Sequence, residues 1–154
     1  MTPERSPDDT WSFLTKLFKH QVPEIASGAV EIRAVARRPG IRCKLAIHSH
    51  DPSIDGVAAC VGPRGSRIQS VVQQLGGERL DLFPWADSPE RLIALALAPA
   101  RTRDVVLDQS HRRALVQVDD DQLSVASGRD GVNRELASEL TGWDIHIVVR
   151  KDAA

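Results

Sequence analysis

An internal repeat constrains the fold of this 154-residue chain more than any other feature of its sequence. A Gly-x-x-Gly motif stands at 62–65 and again at 128–131, an offset of 66 positions. The same offset carries Gly76 onto Gly142, where in each case a glycine is placed to end a helix. Seven elements occur in the same order around both motifs. Two similar folding units, one after the other, are therefore expected.

The periodicity of the apolar residues predicts the elements of each copy. The first copy starts with helical spacing from Trp11, continues with two alternating segments separated by Pro39-Gly40, and has a helix on either side of the glycine motif and a strand near 80–83. The second copy is predicted to contain a helix over 89–98, strands near 103–108 and 112–118, a helix over 122–127, a helix that ends at 141 and a strand over 143–150.

This order of elements predicts an α+β fold in which each unit has a three-stranded sheet packed on helices. The first domain, with its N-terminal helix, is expected over 10–85, and the second over 86–151. The segment 1–9 holds two prolines and no periodic pattern, so it is expected to be a flexible tail.

Composition excludes several classes of protein. The longest apolar stretch, 92–100, is far shorter than the roughly 20 residues of a membrane span, and the polar N-terminus does not resemble a signal peptide. Cys43 and Cys60 form no Cys-x-x-Cys motif, so reduced, buried thiols are expected rather than a disulfide or a zinc site. We therefore expect a cytoplasmic protein that does not contact a membrane.

The repeated glycine motifs suggest a binding site for anions. A glycine pair between two helices lets another backbone approach closely, and the following helix presents free N–H groups and the positive end of its dipole. A phosphodiester backbone suits such a site. A single motif is more typical of a tight helix corner, but its duplication at equivalent points favours the binding interpretation.

The residues around both motifs also resemble a known family. The run VGPRGSRI at 61–68, with its wider context, resembles the first KH domain of the bacterial NusA family of transcription factors, and the segment 119–145 resembles the second. The resemblance extends from about Trp11 to Val149. It implies tandem type II KH domains that bind single-stranded RNA and act in transcription elongation, pausing, termination and antitermination.

RNA contacts are predicted at both glycine motifs and at nearby polar and basic residues. These residues are Gly62, Pro63, Arg64, Gly65, Ser66, Arg67, Arg42, Lys44, His48, Gly128, Arg129, Asp130, Gly131 and Asn133.

Charge is distributed unevenly between the copies. Basic residues exceed acidic ones by five between 33 and 67, whereas acidic residues exceed basic ones by five between 104 and 144. Basic side chains near the first motif are expected to follow phosphates, although such a run is also typical of a solvated face. Asp130 places a carboxylate inside the second motif, so weaker RNA binding is predicted there. The alternative is that Arg129 masks Asp130.

The second copy also departs from the family pattern in its side chains. Ser127 and Arg134 stand at positions where apolar residues are expected; the counterpart of Ser127 in the first copy is the apolar Val61. Together with Asp130, these departures favour weaker RNA binding by the second unit.

No motif for catalysis is present in the sequence. It contains no P-loop, dinucleotide fingerprint or nucleophile elbow, so no enzyme activity and no cofactor are predicted. His48, His50 and Asp51 lack a further ligand at matching spacing, so no metal is predicted.

Single-stranded RNA is the expected partner of a monomer, and RNA polymerase or other transcription factors are left open as further partners. The alternative is a protein-interaction adaptor that has the KH architecture but little RNA affinity, with the acidic second unit as its docking surface.

Overall fold

The computed structural model describes residues 10–151, and the chain divides into two compact units between Trp85 and Ala86. The expected tail at 1–9 lies outside the described residues. Within 10–151, no helix is both long and apolar enough to cross a membrane.

The first unit contains its helices and strands in the predicted order. They are α1 (Thr10–Gln21), α2 (Pro23–Ala26), β1 (Val30–Arg38), β2 (Arg42–Ser49), α3 (Gly56–Val61), α4 (Ser66–Gln74) and β3 (Arg79–Pro84).

Strand β2 lies at the centre of the first sheet, antiparallel to β1 and parallel to β3. The parallel pairing follows from the connection, because the chain crosses from β2 to β3 through α3 and α4. One face of the sheet packs on helices: Leu14 and Phe18 of α1 share the buried core with Cys43 and Leu45 of β2. This arrangement places the glycine motif within the crossover, between α3 and α4.

The second unit repeats this order. Its elements are α5 (Pro89–Ala96), β4 (Val105–Asp108), β5 (Arg113–Val118), α6 (Leu123–Ser127), α7 (Val132–Thr141) and β6 (Asp144–Val149). Strand β5 is central, antiparallel to β4 and parallel to β6. Buried side chains come from α5 (Ile93), α7 (Leu136, Leu140) and the strands (Val116, Ile145).

The predicted α+β class, with two three-stranded sheets packed on helices, is confirmed. Element ends differ by a few residues. Helix α5 ends at Ala96 rather than 98, because the residue before Pro99 is disfavoured in a helix. Strand β4 begins at Val105 rather than 103, although the Arg103 N–H still donates to the Gln117 carbonyl at 2.7 Å.

Candidate nucleic-acid interface

The first glycine motif forms a tight, exposed corner between α3 and α4. Gly62 (φ 75°, ψ 173°) and Gly65 (φ 73°) both have positive φ, and Arg64 between them is left-handed at φ 54°. The side chains of Pro63, Arg64 and Ser66 are exposed. The corner therefore places the positive dipole end of α4 next to an exposed cation, while the N–H groups of Gly65 and Ser66 donate to the carbonyls of Gly62 and Pro63.

Arg67 packs against this corner and braces it. A Cβ atom added at Gly62 would lie 2.5 Å from Arg67 Cγ, so the arginine side chain occupies the space that a larger residue would need. Arg67 Nη1 donates to the carbonyl of Ala59 at 2.8 Å and pairs with Glu24 Oε1 at 3.1 Å. The guanidinium thus joins α2, α3 and α4. We assign Arg67 a positioning role at the corner.

The second glycine motif has the same backbone conformation as the first. Gly128 has φ 75° and ψ 172°, Asp130 is left-handed at φ 56°, and Gly131 has φ 77°. Arg129 and Asp130 are both exposed. The two sequences therefore form one type of corner with different side chains.

The alternative in which Arg129 masks Asp130 has no support in this geometry. Among the described residues, no ion pair joins Arg129 to Asp130. The Asp130 carboxylate is therefore exposed beside the N-terminus of α7.

Asn133 stands where Arg67 stands in the first unit, and it also holds the corner together. Its Nδ2 donates to the carbonyls of Ala126 (2.9 Å), Leu97 (3.1 Å) and Val125 (3.3 Å). The side chain has no exposed surface. The predicted RNA contact of Asn133 is therefore wrong, because RNA cannot reach the buried amide.

Two further predicted contacts, Arg42 and Lys44, are also buried. Arg42 Nε and Lys44 Nζ lie 2.6 Å and 3.1 Å from Asp81 Oδ2, and Lys44 has no exposed surface. Burial lowers the pKa of Lys44 to about 8, although Asp81 acts in the opposite direction. The prediction that these residues follow phosphates is corrected, because their charges are enclosed next to a carboxylate.

Pairing also reduces the positive charge counted around the first motif. Arg37 makes two hydrogen bonds to Glu78, each 2.9 Å long. Arg42, Lys44 and Arg67 are paired as described above. Four of the seven basic residues between 33 and 67 therefore lie next to carboxylates from outside that segment. Arg64 is the exposed cation within the loop itself, so electrostatic attraction to RNA is expected to be modest.

His48, another predicted contact, remains half-buried at the end of β2. Its ring meets the ring of His50 edge-on at 4.7 Å, and His50 Nε2 lies 3.3 Å from Glu31 Oε1. Across residues 10–151, no group of three or more His, Cys, Asp or Glu side chains is arranged to hold a metal ion.

An open cleft of about 710 Å³ lies beside the second glycine motif. Its lining combines apolar side chains of β6 with a few polar groups, a composition suited to a flat aromatic ligand such as a nucleobase. Sequence reasoning singled out Ser127 and Arg134 as unusual but missed that they meet in one cleft. The lining residues are Arg113, Leu115, Ser127, Arg134, Ile145, His146, Ile147 and Val148.

A mixed three-stranded sheet, a helix pair crossing between its two parallel strands and a glycine corner inside that pair together define a type II KH domain. This chain contains two of them in tandem. It belongs to the NusA-like KH family: residues 8–85 match the NusA-like first KH domain and residues 89–154 match the NusA-like second KH domain.

Relatives in several bacteria share extensive identity with this chain. It is 48% identical over 133 residues to the transcription termination/antitermination protein NusA of Thermus thermophilus, and 43% identical over 140 residues to that of Bacillus subtilis. The protein of the same name from Mycobacterium bovis is 47% identical over 137 residues. These alignments cover 86%, 91% and 88% of this chain but only 34%, 38% and 40% of the relatives.

A solved structure also shares the fold. The structure titled "Crystal structure of APE1850" matches with a TM-score of 0.58, covering 91% of this chain and 94% of that chain at 16% sequence identity. At this identity the similarity concerns the fold alone.

Proposed function

We propose that this chain is a single-stranded RNA-binding module of a NusA-like factor that regulates transcription elongation, pausing, termination and antitermination. The observation that carries the proposal is the presence of two exposed glycine corners with matching backbone conformation, at 62–65 and 128–131. The names of the relatives, which are transcription termination/antitermination proteins, support the transcriptional part.

The geometry suits clamping of an RNA backbone. Gly65 and Gly131, where an added Cβ would have no neighbour closer than 3.8 Å, leave room for a phosphodiester to approach the main chain, and the N-termini of α4 and α7 offer positive dipole ends. A KH loop of this kind holds about four nucleotides, with the bases on the neighbouring helix and strand. In the second unit, the cleft along β6 provides a place for such a base. The proposed activity is binding, without catalysis.

A titration with a labelled single-stranded RNA of about 12 nucleotides, which offers about four nucleotides to each loop, tests this proposal. The logarithm of the binding constant should fall linearly with the logarithm of the salt concentration, with a slope of about −1.4 to −2 for two to three phosphate contacts. A duplex of the same sequence should compete weakly.

Variants locate the binding at the corner. Pro63→Asp combined with Arg64→Asp places two carboxylates in the first loop and should weaken binding. Lys16→Asp, at an exposed position of α1, introduces a carboxylate outside the loop and serves as the control. Circular dichroism verifies that all variants fold. No RNA binding at the lowest salt concentration would contradict the proposal and favour the adaptor alternative.

A further inference from the structure

The cleft beside the second glycine motif differs chemically from the matching segment of the first unit. The 66-residue offset places Ser127 at the position of Val61 and Arg134 at the position of Ile68. Two apolar side chains are thus replaced by hydrogen-bonding ones, and both replacements line the same cleft. The replacements therefore change what the cleft can recognise.

Arg134 is placed to contact a ligand in this cleft. It stands in the first turn of α7 and is half-buried, and its Nη1 donates to the carbonyl of Ile145 on β6 at 3.3 Å. This bond uses one of the five N–H donors of a guanidinium and holds the group against the strand. In the described part of the chain, Arg134 forms no ion pair within 4.0 Å; Asp144, whose pKa the charge of Arg134 helps to lower, lies closer to His146 and Arg113.

The shape of the guanidinium decides which base it favours. A planar fork of donors matches two adjacent acceptors. Among the RNA bases guanine offers such a pair at O6 and N7, and cytosine offers one at N3 and O2, whereas adenine and uracil have a donor beside each acceptor on these edges. Unstacked bases in single-stranded RNA are read along these edges. Of the other polar lining residues, Arg113 has its Nε 3.9 Å from Asp144 Oδ2, whereas Arg134 is held against β6. Ser127 and His146 each donate or accept, so they do not distinguish the bases in the same way.

On the basis of the proposed RNA-binding function, we propose that Arg134 makes the second unit prefer a base with two adjacent acceptors, guanine or cytosine, at the position that occupies this cleft. The matching Ile68 supplies no donor in the first unit. The two units therefore read different bases, although their loops share one backbone conformation.

The test uses the full chain with its first loop disabled by Pro63→Asp and Arg64→Asp, so that the second unit dominates binding. Adenine-only RNA of about 12 nucleotides is compared with two series of RNAs in which a single guanine or a single cytosine is moved along the sequence. Guanine or cytosine at one position should tighten binding about tenfold, and the two series show which base the cleft takes; a gain for guanine indicates contact with O6 and N7. Replacing that guanine by 7-deazaguanine, which lacks the N7 acceptor, should remove the gain.

Two substitutions assign the preference to Arg134. Arg134→Lys keeps the charge without the planar fork, and Arg134→Ile introduces the residue type of the first unit; both should abolish the preference for guanine or cytosine over adenine. A preference that survives Arg134→Ile, or equal binding of all RNAs by the loop-disabled chain, would overturn this inference and leave the proposed function standing. If neither the wild-type nor the loop-disabled chain binds any RNA, both are overturned.

Discussion

Arg64 and Asp130 occupy equivalent positions in the two glycine corners and share one backbone conformation. Arg64 has φ 54° and ψ 26°, and Asp130 has φ 56° and ψ 24°. Both side chains are exposed, and their charges are opposite. The corner thus accommodates either residue, so its charge can be exchanged without a change of fold.

The two glycines of the first corner should differ in their tolerance of alanine. A Cβ atom at Gly62 would lie 2.5 Å from Arg67 Cγ, whereas one at Gly65 would have no neighbour closer than 3.8 Å. Gly65→Ala should therefore cost only the strain of a left-handed residue, about 1 kcal/mol. Gly62→Ala should cost about 3 kcal/mol, because its conformation is nearly restricted to glycine and Arg67 must move. Denaturant unfolding measures both losses; equal losses would contradict the bracing role of Arg67.

Removing the buried Asn133 amide should destabilise the second unit. Asn133→Ala removes a donor from three carbonyls, of which that of Leu97 still accepts from the Ala100 N–H. The substitution should lower the free energy of unfolding by about 2 kcal/mol, since the unpartnered Asn133 Oδ1 is removed as well. Asn133→Asp should cost more, because it turns a carboxylate toward those carbonyls.

Ser124→Ala, at an exposed position of α6, is the control for Asn133 and should have little effect on denaturant unfolding. A loss for Asn133→Ala no greater than that of the control would contradict the role given to this amide.

Stability should depend on pH through Lys44. Its folded pKa is about 8 and its ordinary pKa is 10.5, so between these values the unfolded state binds more protons than the folded state. The free energy of unfolding should therefore rise with pH across this window, by on the order of 2 kcal/mol from this group. Lys44→Met should lack this part of the rise. Parallel pH profiles of the two proteins would show that Lys44 is not desolvated.

Both thiols should be unreactive in the folded chain. Cys43 and Cys60 have no exposed surface, and burial raises the pKa of Cys60 to about 12 and raises the pKa of Cys43 further. A thiol reagent at about pH 8 should label neither residue until denaturant unfolds the protein, when both should react. Rapid labelling of either thiol in native buffer would show that the first core opens locally.

Much of the fold could be predicted because its signals are local. Alternation identified β1 and β2, helical spacing identified the helices beside each glycine motif, and the 66-residue offset related the two units. The ends of elements were harder, because they depend on partners elsewhere in the chain. The start of β4, for example, depends on its pairing with β5.

The candidate site could be predicted only in part, because its details depend on contacts between distant residues. Lys44 has the sequence signature of an exposed basic residue, yet Asp81, 37 positions later, encloses its charge. Asn133 is buried because carbonyls from two separate segments converge on it. The cleft at Arg134 requires the parallel pairing of β5 with β6, which no local pattern reveals.

The most direct test of the account is the affinity of one single-stranded RNA for the wild-type chain, Arg64→Asp and Asp130→Arg at low salt concentration. Each substitution changes the loop charge by two units, and one unit charge about 4 Å from a phosphate contributes about 1 kcal/mol in water. Allowing for screening, Arg64→Asp should weaken binding about tenfold and Asp130→Arg should strengthen it about tenfold. Affinities that stay the same in both variants would contradict the claim that these two corners hold the RNA backbone.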